Sequence, residues 1–465
     1  MKRLVIVIFI VFGAFLTFSL YRTFAYDTSV VEETPSTTDL EYTFKIGNSS
    51  IKQITVDSGE TKYFDVVLGN PNPAKISYGV YYEMVSPSSK PDGFSIEYTS
   101  KSTGESTGKV DKEGNITLNL VVTNTSSSTV TVKLGTVAGY VNGGELTLSS
   151  GQVMIPQQTA TSYVRSLNDE STGENGNGVY RVHHDAIPAS SSATGEIIEE
   201  TNDYRYYGAS PNNYVCLEKN SDGTCEDKNL YRIIGSMRED SDETYKLKVI
   251  KATPLTDGTH SSFMWDCVGS LVNSYSNGIR LMVKEISTCG RSENVWNYSS
   301  IMQILNDTWL NGKSDSYDAG TGTYTLDFTE YGLSDNVKNL IEKDSRYYLG
   351  GYSSGSLSIE DIYIAERGAV TSNGNSLYWN GAIGLIYCSD YRYAFGQNCV
   401  NNCNGWFSGI GWTMTPYTES TDLVWAMTSA NYPFYNFAIY PTFYLTSTTV
   451  IAGGIGSKYD PYVIK

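Results

Sequence analysis

Between residues 51 and 141, apolar and polar positions alternate in short runs parted by turn residues. Val130, Val132 and Leu134 keep a period of two cleanly, Ile116 and Leu118 start one, and Val121 and Val122 hold it approximately. That period sends successive side chains to opposite faces of a strand. Such runs cover 51–57, 62–70, 76–85, 93–100, 115–124 and 129–141, with Gly59, the NPNP of 70–73 and residues 111–114 as turns. No helical stripe interrupts them, so two packed antiparallel sheets are the natural way to bury one face of each strand. Residues 40–155 are expected to form a β-sandwich, immunoglobulin-like in outline, with no cysteine to brace it and a spacer or stalk as its role.

The period changes in NVWNYSSIMQILNDTWLNG, residues 294–312. Ser299 or Ser300 caps a helix there, and Ile301, Ile304, Leu305 and Trp309 fall on one face, with Gln303 and Asp307 toward the other. A stripe of this kind anchors a helix against a sheet. Residues 229–237 and 245–253 read as two strands of a hairpin across REDSDE. Residues 156–179, whose second half is small, acidic or glycine, read as a linker, and 180–465 as a larger α+β surface domain. The fold class expected for the whole chain is mainly β.

At the amino terminus there is no period at all. Lys2 and Arg3 precede an uncharged apolar run from Leu4 to Leu20. Residues 1–25 are expected to be a signal-anchor or a signal peptide, with Thr23-Phe24-Ala25 as a small-x-small cleavage site, and residues 26–39 a tether. Both readings export the rest of the chain. The expected location is the cell membrane, held there by the amino-terminal helix with the bulk outside, or the extracellular medium if the signal is cleaved.

Composition narrows the partners. Fifty acidic side chains against 33 basic ones give a formal charge of −17, which repels nucleic acid, and no basic block beyond the first residues offsets it. The 43 Gly and 37 Tyr suit twisted strands and long turns. Exposed rings among Trp406, Trp412, Tyr417, Trp425 and Tyr432 would form a surface for stacking sugars or peptides; the competing reading makes them core.

Chemistry is sparse. Cys216 and Cys225 bracket an Asp222-Gly223 turn and are candidates for a disulfide, as are Cys399 with Cys403 and Cys267 with Cys289. Cys388 is left over, as a free thiol, a link in a disulfide-joined oligomer, or part of a different pairing. His183 and His184, with Asp185, form a weak metal or acid–base candidate, because adjacent residues of a strand face opposite ways. Zinc-peptidase, P-loop and dinucleotide fingerprints are absent. The carboxylates Asp240, Asp242, Glu243, Asp315 and Asp318 sit in loops, and nothing in the spacing assigns a catalytic pair. NSDGTCED, residues 220–227, lacks the spacing of a calcium loop, so no cofactor is expected beyond a structural calcium ion that these oxygens allow.

The order RIIG, KVIKATPL, the 294–312 helix, LSDNVKNLIEK, DIYIAERGAV, YWNGAIGLIYCSDYRYA, GWTMTP and YPTFYLTSTTVIAGGIGSKYDPYVI resembles a domain family of Firmicutes surface proteins over roughly residues 180–465. Trp296, Ser299, Leu305 and Asn306 match its first element, Trp412, Thr415 and Pro416 its second, and Tyr440 and Pro441 its third. The arginines of the second and third elements are missing, with Met414 and Ile439 or Tyr440 in their place. The resemblance implies a fold distantly similar to the C-type-lectin-like fold of sulfatase-modifying enzymes, although the EPN, QPD and WND motifs of calcium-dependent lectins do not occur.

Three readings follow. The leading one is an adhesin-like, non-catalytic surface protein that recognises a glycan or protein. The alternatives are a cell-envelope glycoside hydrolase with paired carboxylates, and a structural surface-layer or fibre component.

Overall fold

The computed structural model describes residues 43–46, 53–100, 109–140, 146–168, 178–238, 244–266, 280–281, 294–318, 323–353, 357–370, 376–396, 405–407, 409–420, 422–433 and 435–465. The apolar amino-terminal run, the tether, Cys267, Cys289, Cys399, Cys403, Asp240, Asp242 and Glu243 lie outside these residues. The described chain is mainly β and divides into two units, residues 1–157 and 158–465. No described helix is long and apolar enough to cross a membrane.

The described strands of the first unit are β1 (Thr43–Ile46), β2 (Gln53–Val56), β3 (Glu60–Gly69), β4 (Ile76–Ser86), β5 (Phe94–Ser100), β6 (Lys109–Val110), β7 (Asn115–Asn124), β8 (Val130–Tyr140) and β9 (Gln152–Met154). One sheet runs β1-β3-β7-β5, and the other β2-β8-β4-β6 with β9 also on β4. Every pairing among these described strands is antiparallel. The inward faces of both sheets share one core. Ile116, Leu118, Leu120 and Val122 of β7 meet Val130, Val132 and Leu134 of β8 within it. Each such side chain contributes roughly 1.5–3 kcal/mol by leaving water.

Buried asparagines close the turns. Asn124 Nδ2 donates to the carbonyls of Val56 at 2.9 Å and Ser128 at 2.8 Å. Asn70, which opens NPNP, donates to the carbonyls of Ala74 and Asp111, both at 2.8 Å.

The second unit is built on an eight-stranded sheet. Its first five strands are β10 (Gly178–His184), β11 (Thr201–Tyr207), β12 (Tyr214–Cys216), β13 (Leu230–Arg238) and β14 (Tyr245–Lys251), and the strands Thr442–Leu445, Ile451–Gly453 and Tyr462–Ile464 complete it. β13 and β14 are the expected antiparallel hairpin, pairing from Tyr231 with Lys251 to Arg238 with Tyr245. β13 is buried from Leu230 to Met237, and β11 crosses it so closely that a Cβ at Gly235 would overlap the carbonyl oxygen of Tyr204. The RIIG glycine is therefore a packing requirement.

The expected linker needs correction. Ala160–Ser166 is a helix, capped by Thr159 accepting from the Ser162 amide at 3.2 Å, and it packs on β13 and β14 through Ala160 and Val164. A short apolar stripe hidden among polar residues was enough to fold it onto the sheet.

The 294–312 segment is an anchor, although not a regular helix. It runs as a 3₁₀ turn at Trp296–Tyr298, an α-turn at Ser300–Gln303 and a wider π-type stretch at Ile304–Trp309. Ser299 Oγ accepts from the Met302 amide at 3.1 Å, and Ile301, Ile304, Leu305 and Trp309 are buried. Asn306 brackets Ile383: its Nδ2 donates to that carbonyl at 2.8 Å and its Oδ1 accepts from that amide at 2.9 Å. The anchor is thus tied to chain 77 residues away.

Candidate functional site

The expected aromatic surface is largely core. Trp406, Trp412 and Trp425 are buried, and their indole nitrogens donate to the carbonyls of Tyr206 at 2.8 Å, Phe263 at 2.9 Å and Tyr352 at 3.1 Å. A satisfied indole N–H removes the main cost of burying tryptophan. Tyr417 is half-buried against Trp425, while Tyr432 is 45% exposed and meets Tyr435 edge to face at 6.1 Å. The five rings do not share a ligand surface.

Ionisable groups gather instead inside the second unit. Asp203 and Arg205 project from β11, Lys248 from β14, Glu360 and Glu366 from the helix Ile359–Glu366, and Ser389, Asp390 and Tyr393 from the helix Cys388–Tyr393. Arg205 donates to Asp203 at 2.7 Å and to Asp390 at 2.6 Å, and Lys248 donates to Asp390 at 2.8 Å. His184 bridges Asp203 at 3.1 Å and Glu360 at 2.8 Å, and stacks on Tyr363 at 3.5 Å. His183 points the other way, exposed, 3.5 Å from Asp185. The histidine pair converges on no common ligand.

Burial alone would raise the Asp203 and Asp390 carboxyls. At Asp203 the combined pull of Arg205, His184 and Arg367 outweighs burial and lowers the carboxyl, while Lys248 and Arg205 together hold Asp390 down to about 2. At Glu366 burial wins, and its carboxyl is raised despite hydrogen bonds from Ser389 and from Thr415 at 2.7 Å. These groups pair mainly with one another, as buried charge requires, although Arg205 Nε and Glu360 Oε1 are buried without a hydrogen-bond partner. Their geometry clamps two helices to the sheet and leaves Asp203, Arg205, Lys248 and Asp390 out of reach of a substrate.

A groove of about 900 Å³ opens elsewhere on this unit. One wall is Glu226, Asp227 and Lys228; the others are Thr253, Pro254, Thr256 and Ser261, and the turn Thr329-Glu330-Tyr331. Lys251, at the end of β14, completes the lining. Local sequence explains each wall. The Cys216–Cys225 disulfide closes the loop that delivers Glu226, and Gly223 takes φ +84° in its turn. Asp257 organises the loop that carries Thr256 and Ser261: its carboxylate accepts from the amides of Thr259 at 2.9 Å, His260 at 2.6 Å and Asp327 at 3.3 Å, and pairs with His260 Nδ1 at 2.8 Å. Burial opposes ionisation of Asp257, and these hydrogen bonds outweigh it and lower the carboxyl. Glu226 is paired with Lys228 at 3.0 Å on the rim.

The groove was not legible in the sequence. Its residues come from three separated segments of mostly loop composition, and the Asp222-Gly223 turn was the one local signal.

Cys216 and Cys225 form the expected disulfide, though Cys225 lies in the loop and not on a paired strand. Cys388 is a free thiol, fully buried, and burial pushes it up to about 12. A bond from Cys388 to another chain would require opening the core, which removes the support it offered a disulfide-linked oligomer. GYSSG, residues 351–355, has the nucleophile-elbow spacing. That motif needs a sharp strand-to-helix turn, whereas among the described residues the flanking elements are a strand ending at Tyr348 and a helix starting at Ile359. Asp222 is engaged with Thr224 at 2.9 and 2.6 Å, and among the described residues no group of His, Cys, Asp and Glu is placed to hold a metal ion.

Comparison with protein-family models, curated proteins and solved structures finds no match.

Proposed function

We propose that the chain is an exported surface protein in which an immunoglobulin-like sandwich serves as spacer and the second, C-type-lectin-like unit binds a glycan in the groove. The observation that carries this reading is the groove lining, in which the hydroxyl-bearing residues Thr253, Thr256, Ser261, Thr329 and Tyr331 stand with the acidic residues Asp227 and Glu330. Sugars are held by hydroxyl and carboxylate groups fixed on a rigid wall, and the disulfide and the Asp257 loop supply that rigidity. A disulfide of this kind persists in an oxidising compartment, which supports export.

The test uses residues 27–465 on an array of bacterial-wall and host glycans, alongside Thr256→Ala/Thr329→Ala. Binding that falls at least tenfold in the double variant, with unchanged thermal unfolding, is the expected result. No binding to any glycan removes the reading. Hydrolysis products from a printed glycan would replace it with the hydrolase alternative and make Asp227 and Glu330 the pair to mutate.

A further inference from the structure

Lys251 is a buried lysine, 5% exposed, whose ammonium has no carboxylate within ion-pair reach among the described residues. Its Nζ donates to the Asp227 carbonyl at 2.8 Å and reaches Thr253 Oγ1 at 3.4 Å. Lys248, on the same strand and equally enclosed, meets the Asp390 carboxylate at 2.8 Å. The contrast matters because an ammonium buried without a counter-ion is costly, and a neutral amine in the same place is not. Lys251 is also one of the residues that line the groove.

We propose that Lys251 is a nucleophilic amine that captures the carbonyl of an aldehyde-bearing ligand, such as an open-chain sugar, as an imine in the groove. The proposal rests on the groove being the ligand site and adds the chemistry done there. The amine nitrogen attacks the carbonyl carbon, a proton passes from nitrogen to oxygen to give a carbinolamine, and loss of that oxygen as water leaves the C=N bond. No oxidant or reductant is consumed. Burial pushes the Lys251 amine down to about 8, outweighing the opposite pull of the Asp227 carboxylate. At pH 7.4 roughly a fifth of it is then the free base, against about one in a thousand for an ordinary lysine.

Residues 27–465 are incubated with glycolaldehyde and cyanoborohydride, which reduces the imine to a stable secondary amine, and lysines are mapped by peptide mass spectrometry over time. Lys251 is expected to be modified at least tenfold faster than the exposed Lys112 and Lys458 at pH 7.4, with a rate that rises around pH 8. Lys251→Arg keeps the charge and abolishes that product. Modification of Lys251 no faster than Lys112 overturns the proposal. Array binding that persists alongside that failure leaves the groove reading intact, whereas fast trapping in a chain that binds no glycan keeps the imine and removes the glycan.

Discussion

Arg205 Nη1 lies 2.6 Å from Asp390 Oδ1, with both side chains sealed from water. The pair joins β11 to a helix 185 residues later, and Lys248 occupies the other oxygen of the same carboxylate. Asp390 is thus shared by two buried cations; without it Arg205 keeps Asp203 at 2.7 Å, and Lys248 loses the carboxylate it holds at 2.8 Å.

Asp390→Asn is expected to destabilise the second unit by roughly 3–5 kcal/mol. All seven tryptophans lie in residues 265–425, so tryptophan fluorescence in a urea titration reports this unit. A midpoint within error of wild type would show that the network holds nothing.

The carboxylates impose opposite pH dependences. Asp390 is lowered, so its contribution is complete above about pH 4, the ordinary carboxylate value, and is lost as pH falls toward about 2. Glu366 is raised, so its contribution is complete below about pH 4 and is lost as pH rises through its folded value. Glu366→Gln keeps a neutral group against Ser389 and Thr415. It is expected to gain stability over wild type as pH rises from 4 to 8, whereas parallel curves for the two proteins would exclude a strained Glu366.

Trp412→Ala separates core from ligand surface. The side chain is fully buried and edge-to-face with Phe437 at 4.9 Å, so about 3–5 kcal/mol of stability should be lost. Loss of ligand binding with an unchanged unfolding midpoint would restore the aromatic-surface reading.

Cys388 should resist iodoacetamide in the native protein and react fully in urea, with the site read by peptide mapping. Labelling of Cys388 under native conditions would mean that the core opens readily and would reinstate a link between chains.

Cys225→Ser releases the loop that forms one groove wall. Its bond to Cys216 spans nine positions, and opening a loop of that size costs roughly 2–3 kcal/mol. Ligand affinity at the groove should fall with it, measured on the same array as wild type. Unchanged affinity would place the ligand elsewhere.

The sequence by itself determined what depends on neighbours along the chain. Alternation in Val130, Val132 and Leu134 names the buried face of β8, the two strand-like runs flanking REDSDE pair as the β13–β14 hairpin, and Ile301, Ile304, Leu305 and Trp309 define an anchoring stripe. The short loop around Asp222-Gly223 brings Cys216 and Cys225 together. Tertiary structure decided the rest, because periodicity gives the direction of a side chain and not what it meets. It made Trp406, Trp412 and Trp425 core by giving each indole a distant carbonyl, and it placed His184 between Asp203 and Glu360, 176 residues from the latter. It also gave Lys248 a carboxylate and left Lys251, among the described residues, without an ion pair in a groove drawn from three segments, a difference that two lysines on one strand cannot express in sequence.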